Sequence, residues 1–451
     1  MPRIALSIVL LSASILRAEN PSSPESRRLD SWHQWRGPEG NGTAPRGEPP
    51  LRFGPSENLR WKVPAPGEGH ASPVVWGDLV FLLSAVRTDK TPAAPPATNP
   101  KAKTEAPGKV YRFIVTAIDL ESGKTRWEET ACEEAPHEGR HETNSYASGS
   151  PVTDGTRVYA YFGSRGIYAY GLDGKLQWKR DLGDMHTRFG WGEGASPAVH
   201  GGTVVVNWDE EDGSFVTALD AATGEPRWRK ERDEATSWAT PFIVEHGGKT
   251  QVIVNGTNRV RSYDLATGEL VWECGGQTAN AIPSPVAMGD RVICMSGYRG
   301  AAAKAIPLGA RGDITESDKV IWSLAKGTPY VPSPLLYEDR LYFTQRNSGI
   351  LTVVDARTGK VEIDSQRIPG IEELYGSPVG AAGRVYFIAR DGTAVVIRHG
   401  GPIEVLATNR LEEPVDASPA LVGKKMLVRG RKHLFCFEQA PKPAGGAAGG
   451  F

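Results

Sequence analysis

The chain has 451 residues, and its 52 lysines and arginines against 53 aspartates and glutamates give a formal net charge of −1 at pH 7. This balance excludes the strongly basic surface that binds nucleic acid or an anionic membrane. The 52 glycines and 34 prolines indicate a chain with many turns, as an all-β protein requires.

Residues 1–18 have the pattern of a secretory signal peptide. Arg3 supplies a positive start, and residues 4–16 form an apolar run that is too short to span a bilayer. A buried N-terminal strand is the alternative. No cysteine follows the run, so we expect no lipid anchor, and no later segment is long and apolar enough for a membrane span. The protein is therefore expected to be exported to the periplasm or the extracellular space.

Residues 19–58 are rich in proline, glycine and charge, and are predicted to form an extended N-terminal segment. Residues 32–42 within it, WHQWRGPEGNG, contain two tryptophans and an arginine. This composition favours a strap held against the body of the protein, and a disordered linker is the alternative.

From residue 59 to 438 the chain repeats one unit of four short strands. Residues 196–228 show it most clearly, with a Ser-Pro opener, a Gly-Gly turn, two β-branched runs and a last strand that ends in Trp228. After one step of 78 residues, the openers recur every 41–49 residues, at Ser72, Ser150, Ser196, Thr240, Ser284, Ser333, Ser377 and Ser418. A period near 44 with four strands per unit predicts an all-β, eight-bladed β-propeller of four-stranded antiparallel blades.

The ends of the repeat region predict how the ring closes. Only three strands follow Ser418, and the segment around Trp61 resembles the last strand of the other units. We expect this N-terminal strand to complete the eighth blade and leave no exposed sheet edge. Residues 439–451 are predicted to be a disordered tail.

Two insertions indicate which face of the propeller carries function. Residues 87–109, predicted to be mobile, and residues 132–147 both fall in the second-to-third-strand loops or the blade-to-blade loops. These two loop classes share one side of a propeller, which we call the loop face. The other two classes, on the turn face, are short and centred on glycine. We therefore place any function on the loop face.

Candidate binding residues lie in the same loops. One group directly precedes the openers and should ring the mouth of the central channel, and a second group supplies arginines. Such a ring would accept a flat, anionic or sugar-like ligand by stacking and forked hydrogen bonds. The alternative is that the aromatic rings pack between blades and the arginines are solvated or paired. The candidates are His70, His141, Trp191, Glu193, Trp238, Tyr330, Tyr375, Asp416, Arg165, Arg299, Arg346 and Arg390.

Other motifs are weaker, and we assign no catalytic residue and no metal. Residues 207–213 lack the spacing of a calcium loop and are expected to be solvated. A metal at His137 and His141 is conceivable, but spacing alone does not support it. We interpret Arg-Gly-Asp at 311–313 as chance. The four cysteines, whose pairing stays open, are Cys132, Cys274, Cys294 and Cys436.

The repeat resembles the pyrroloquinoline-quinone-type (PQQ-like) β-propeller repeat over roughly residues 59–438. The resemblance is carried by Ser196-Pro197, Ala218, Asp220, Thr223-Gly224 and Trp228, and by the matching residues 263–272. It implies that the blade tryptophans dock neighbouring blades, namely Trp61, Trp127, Trp178, Trp228, Trp272 and Trp322. The chain is most similar to an exported bacterial subgroup that resembles the outer-membrane barrel-assembly accessory propeller, but lacks the lipidated cysteine of that lipoprotein.

The same family includes quinoprotein alcohol dehydrogenases, which use PQQ with calcium. The adjacent cysteine pair of those enzymes is absent, and no residue set aligns with their catalytic aspartate and calcium ligands. The resemblance therefore implies an exported, non-catalytic and monomeric propeller that binds a protein or carbohydrate partner on its loop face, without a cofactor. A PQQ-dependent oxidoreductase with its site in the central channel is the alternative.

Overall fold

The computed structural model describes residues 23–93 and 101–439. Eight antiparallel blades surround a central channel, which confirms the eight-bladed propeller. The predicted signal peptide, residues 94–100 of the first insertion and the tail from residue 440 lie outside the described residues. Among the described residues, the helices are too short and too polar to cross a membrane.

The first four blades follow the repeat with one addition, a fifth strand on blade 4. Their strands are β2 (Val74–Trp76), β3 (Leu79–Arg87), β4 (Tyr111–Asp119) and β5 (Thr125–Glu134) in blade 1; β6 (Val152–Thr153), β7 (Arg157–Tyr161), β8 (Ile167–Gly171) and β9 (Leu176–Arg180) in blade 2; β10 (Ala198–His200), β11 (Thr203–Trp208), β12 (Phe215–Asp220) and β13 (Pro226–Glu231) in blade 3; β14 (Phe242–His246), β15 (Lys249–Asn255), β16 (Arg259–Asp264), β17 (Leu270–Gly275) and the added β21 (Gly312–Asp313) in blade 4.

The remaining four blades close the ring with a strand from the other end of the chain. Their strands are β18 (Val286–Met288), β19 (Arg291–Ser296), β20 (Ala302–Pro307) and β22 (Trp322–Leu324) in blade 5; β23 (Leu335–Tyr337), β24 (Arg340–Thr344), β25 (Ile350–Asp355) and β26 (Val361–Arg367) in blade 6; β27 (Val379–Ala381), β28 (Arg384–Ile388), β29 (Thr393–Arg398) and β30 (Val405–Arg410) in blade 7; β31 (Ala420–Val422), β32 (Lys425–Arg429), β33 (His433–Glu438) and β1 (Leu59–Pro64) in blade 8.

Strand β1 pairs antiparallel with β33, from Leu59 opposite Phe437 to Pro64 opposite His433. This pairing confirms the predicted ring closure by the N-terminal strand. Arg429 at the end of β32 strengthens the same junction, because its buried guanidinium donates hydrogen bonds to the carbonyl of Leu83 and the hydroxyl of Ser84 in blade 1.

Burial follows the position of a strand within its blade. All six residues of β11 in the middle of blade 3 are buried, whereas the outer strand β13 buries Trp228 and exposes most of its other residues. Middle strands pack on both sides against neighbouring blades, so both of their faces are apolar. The core therefore lies between blades, as in the cluster that joins blade 2 to blade 3.

A closed ring of hydrogen bonds joins the eight openers and explains why each of them is serine or threonine. The backbone N–H of every opener donates to the side-chain hydroxyl of the next opener along the chain, at 2.8–3.1 Å. The last of these bonds runs from Ser418 back to Ser72. Each hydroxyl therefore satisfies a buried donor of the neighbouring blade.

The blade tryptophans hold the outer parts of adjacent blades together. Five of them donate their Nε1–H to a backbone carbonyl of the next blade, at 2.8–3.0 Å. Each ring covers a turn glycine with positive φ, where a Cβ would lie only 2.6–2.9 Å from the ring; the glycines are Gly123, Gly174, Gly224, Gly268 and Gly359. Trp272 instead donates to Gln251, whose amide donates to Leu308 of blade 5.

Blade 5 departs from the expected short turns on the turn face. The segment between β20 and β22 extends to blade 4, where β21 pairs in parallel with β17. Asp313 of the Arg-Gly-Asp tripeptide is held there by Arg259 at 2.8 Å. The tripeptide thus has a structural contact, and its carboxylate is engaged within the chain.

The N-terminal segment forms a strap on the turn face, as the composition of residues 32–42 predicted. The strap begins with a short helix, α1 (Pro24–Leu29), which was not predicted from the sequence. Trp32 pairs with Val75 of blade 1 through backbone hydrogen bonds. Arg36 is buried, and its guanidinium donates to the carbonyls of Pro334 and Pro378 in blades 6 and 7, at 2.8 and 2.7 Å. The strap therefore crosses the end of the central channel.

Two residues of the first insertion are held by hydrogen bonds against the loop that follows β9. Lys103 donates its backbone N–H to the carbonyl of Phe189, and Thr104 bonds to the carbonyl of Gly190. All four cysteines are free thiols in the structure.

The opener ring generates the first prediction. In Ser333→Ala the N–H of Ser284 loses its acceptor in a buried position, and we expect the free energy of unfolding to fall by roughly 1–3 kcal/mol. Urea unfolding followed by tryptophan fluorescence measures this loss. Ser333→Thr is the matched control, because Thr240 fills the same role in the native ring. Equal stability of the alanine variant and the wild type would contradict the structural role of the ring.

Candidate functional site

The central channel is a cup of about 420 Å³ that opens on the loop face. Trp35 of the strap closes the end on the turn face. The wall is lined by side chains of the blade-to-blade loops and by opener hydroxyls, among them His70, Ser72, His141, Asn144, Ser150, Trp191, Ser196, Trp238, Thr240, Tyr298, Tyr330, Tyr375, Ser377, Asp416 and Ser418.

A continuous arc of aromatic rings forms one side of the cup. The edge of Trp191 contacts Tyr298 at 6.1 Å between ring centroids, and Tyr298 packs against Tyr330 at 4.9 Å. His141 contacts the other side of Trp191 at 5.6 Å. These rings offer faces on which a planar or cyclic ligand could stack.

The insertion at 132–147 positions this arc. The amide of Asn144 donates to the carbonyls of Trp191 and Glu193, and the N–H of His141 donates to the same Trp191 carbonyl at 3.0 Å. Trp238 donates its indole N–H to the carbonyl of Gly192 at 2.7 Å. The wall is therefore held by hydrogen bonds before any ligand binds.

Asp416 is the carboxylate of the cup, and it is already engaged. Arg390 lies 2.6 Å from one of its oxygens and Arg431 lies 3.2 Å from the other, while His70 Nε2 lies at 3.6 Å. Burial lowers the pKa of His70 to about 4, so its imidazole is neutral at pH 7. Arg390 also packs over the ring of Tyr375, at 4.1 Å from its centroid.

Two of the predicted residues lie outside the cup, behind its wall. Glu193 accepts hydrogen bonds from the N–H and hydroxyl of Ser164, and burial raises its pKa to about 7. Arg165 pairs with Glu134 at 2.7 Å and Asp184 at 2.5 Å. Both side chains stabilise loop structure in this position.

The other two predicted arginines, Arg299 and Arg346, are exposed on the loop face and do not line the cup. They occupy the second-to-third-strand loops of blades 5 and 6. Arg299 packs over the ring of Tyr298 at 5.3 Å, and the carbonyl of Arg346 accepts a hydrogen bond from the N–H of Tyr330. The side chain of Arg299 and the backbone of Arg346 therefore border the aromatic arc from the rim.

The expectation of a solvated loop at 207–213 is wrong for its first acidic residues. Asp209 and Glu210 are buried, because Arg232 returns from the end of β13 and pairs with Asp209 at 2.7 Å. Glu210 and Asp212 lie with His186 in a group whose ligand atoms are within 4.8 Å of one another. His137 stacks on His186, with 4.8 Å between the ring centroids, whereas His141 lines the cup. The two histidines that the sequence suggested as a metal pair therefore lie in different places.

Sequence analysis missed Trp35 and the opener hydroxyls as parts of the site. The recurrence of serine or threonine at all eight openers was the available signal for the hydroxyls. Trp35 gave no such signal, since its position over the channel depends on contacts of the strap with blades far away in sequence.

Comparison with known proteins identifies the family. The sequence profile described as "Outer membrane protein assembly factor BamB" matches residues 112–362, more than half of the chain. The protein therefore belongs to this family of PQQ-like β-propellers. A search of curated proteins found no significant match.

Solved structures show the same fold at low sequence identity. BamB from Moraxella catarrhalis is 13% identical with a TM-score of 0.54, over 80% of this chain and 99% of that one. A quinohemoprotein alcohol dehydrogenase from Comamonas testosteroni is 13% identical with a TM-score of 0.62, over 93% and 82%. A europium-containing methanol dehydrogenase is 11% identical with a TM-score of 0.61, over 91% and 98%. These likenesses establish the fold alone.

The raised pKa of Glu193 generates a prediction for stability. The folded protein holds this proton up to about pH 7, whereas an unfolded glutamate releases it near 4.5. Protonated Glu193 therefore contributes to the free energy of unfolding in full below pH 4.5, and this contribution is lost as the pH rises to 7. The total loss is at most about 3 kcal/mol.

In Glu193→Gln we expect this loss to be absent. Urea unfolding of both proteins at intervals between pH 4 and 8 isolates the effect, because all other titratable residues are common to the two proteins. A wild-type and a variant curve that run parallel across this range would show that Glu193 has an ordinary pKa.

Proposed function

We propose that this protein is an exported, non-catalytic binding protein whose recognition site is the cup in the central channel. The observation that carries the proposal is the cup itself, which is closed at one end by the strap and lined by aromatic rings and a band of hydroxyls. Its volume of about 420 Å³ falls within the range of small-molecule sites.

The environment of His70 and Asp416 in the cup favours binding over catalysis. A general acid or base needs a pKa near the working pH and a free position toward the substrate. The imidazole of His70 has a pKa of about 4, and the carboxylate of Asp416 is shared among two arginines and this histidine. Both carboxylate oxygens of Asp416 are therefore engaged by these side chains, and neither is free to transfer a proton to a substrate.

PQQ with calcium is the cofactor of the alternative function, and the residues present do not fit this pair. The aromatic arc would stack on a flat ring system. Calcium, however, takes six to eight oxygen ligands, including several carboxylates or carbonyls. Among the described residues that line the cup, Asp416 is the single carboxylate, and its oxygens are occupied by Arg390 and Arg431.

Export is supported by two observations of different kinds. Residues 1–18 have the signal-peptide pattern, and the family to which the chain belongs carries the description of an outer membrane assembly factor. We propose that the protein works in the cell envelope or outside the cell, as a monomer, and that its partner or ligand approaches the loop face.

The test is a titration of the purified mature protein followed by tryptophan fluorescence, because Trp191 and Trp238 line the cup. The probes are the disaccharides cellobiose and digalacturonate, and PQQ with and without calcium, followed by a dye-linked alcohol oxidation assay. We expect saturable binding of at least one disaccharide and no alcohol oxidation.

Trp191→Ala should weaken that binding by roughly fivefold or more, since stacking of a planar ring on one aromatic side chain contributes about 1–3 kcal/mol. Trp76→Ala is the control, because Trp76 lies at the turn-face end of blade 1. Calcium-dependent PQQ binding with turnover would overturn the non-catalytic assignment. Failure of every probe to bind at Trp191 would overturn the cup as the site.

A further inference from the structure

Two exposed arginines lie at the rim of the cup beside the aromatic arc. Arg299 and Arg346 occupy equivalent loops of adjacent blades; the guanidinium of Arg299 packs over Tyr298, and the backbone carbonyl of Arg346 accepts a hydrogen bond from Tyr330. Both arginine side chains are exposed, beside the open end of the channel.

These two guanidinium groups differ from Arg140 and Arg390, which also lie at the mouth. Arg140 pairs with Glu68 at 2.6 Å, and Arg390 pairs with Glu373 and Asp416. Within residues 23–93 and 101–439, no carboxylate lies at ion-pair distance from Arg299 or Arg346. Within this part of the chain, the two rim arginines are therefore available to an incoming anionic group.

The backbone holds both arginines in an uncommon conformation. Arg299 has φ of 49° and Arg346 has φ of 52°, in the left-handed region that side chains rarely adopt. Glycine or asparagine would relieve this strain, but the chain has arginine at both positions. Such local strain is frequent at binding sites, and here it coincides with two unpaired cations.

The interior of the cup defines the rest of the ligand. Aromatic faces bind the apolar face of a cyclic ligand, and the opener hydroxyls beneath them can exchange hydrogen bonds with ring hydroxyls. An extended peptide would lie across the loop face and would not need a cup closed by Trp35. The site therefore combines features for a sugar ring with features for an anion at its rim.

We propose that the ligand is an acidic saccharide, a pyranose whose ring stacks in the aromatic arc while its carboxylate is bound by Arg299 and Arg346. This inference rests on the proposed function and specifies the ligand class of the same cup. Guanidinium groups bind carboxylates through paired, charge-assisted hydrogen bonds, which gives them specificity for this group over a neutral hydroxymethyl.

The test compares digalacturonate with its dimethyl ester by calorimetry, since the two share their rings and differ in charge. We expect the acid to bind roughly tenfold or more tightly than the ester, as is usual for loss of hydrogen bonds to a charged group. Raising the salt to 0.5 M should weaken binding of the acid and leave binding of the ester unchanged.

The double variant Arg299→Gln, Arg346→Gln should bind acid and ester equally, at the affinity of the ester. Lysine at both positions should restore part of the preference for the acid, because it keeps the charge and loses the fork. The double variant Arg357→Gln, Arg384→Gln on the turn face is the matched control for net charge, and should bind as the wild type does.

The outcomes separate this inference from the proposed function. Equal affinity of acid and ester in the wild type would overturn the acidic ligand and leave the cup as a binding site. Tighter binding of a hexaglutamate peptide than of digalacturonate would overturn the saccharide in favour of a protein partner. Absence of both acid and ester binding would overturn this inference as well, whatever the other probes of the cup show.

Discussion

The closed circle of opener hydrogen bonds is the interaction on which the rest of the structure depends. Each N–H of the circle donates to a hydroxyl of the next blade, so the eight inner strands fix one another at equal spacing around the channel. Further out, the tryptophans lock the outer strands onto the turn glycines of the next blade. The inner circle determines the width of the channel, and the tryptophans determine how the blades are tilted against each other. The cup takes its dimensions from these repeated contacts, and its chemistry from loops that differ between blades.

The division of labour between the two faces follows from this arrangement. On the turn face, glycine-centred turns leave little room for variation, and the strap covers the channel there. On the loop face, the insertion at 132–147 and the loop around Trp191 carry hydrogen bonds that serve only to hold the aromatic arc. Asp416 and Glu193 in this region have partners within the protein, the arginines beside Asp416 and the N–H and hydroxyl of Ser164. Among the described residues, Arg299 and Arg346 have no ion-pair partner.

The fold was predictable from the sequence because its information is local and repeated. The sequence of most units contains recognisable turn residues, alternating apolar residues in the strands and a tryptophan in the last strand. The strand missing after Ser418 indicated that the segment around Trp61 completes the last blade. The site was predictable in part, since the residues before the openers must surround the channel; His70, Trp191, Trp238, Tyr330, Tyr375 and Asp416 line the cup. The position of Trp35, the pairing of Arg165 and the burial of Asp209 were not predictable. Each depends on a side chain or segment that folds back from elsewhere, and no short-range pattern records such a contact.

The strap determines when, during folding, the cup can close. Its contacts join residues near the start of the chain to carbonyls of Pro334 and Pro378 and to the turn of blade 8 at Gly423. Those partners exist in their final places only when the last blades have formed, and the last blade itself needs β1. The base of the cup is therefore assembled from parts that meet only after the last blades of the chain have been synthesised and folded. A chain that ended before them would form blades but no closed vessel, so closure of the cup marks the completed molecule.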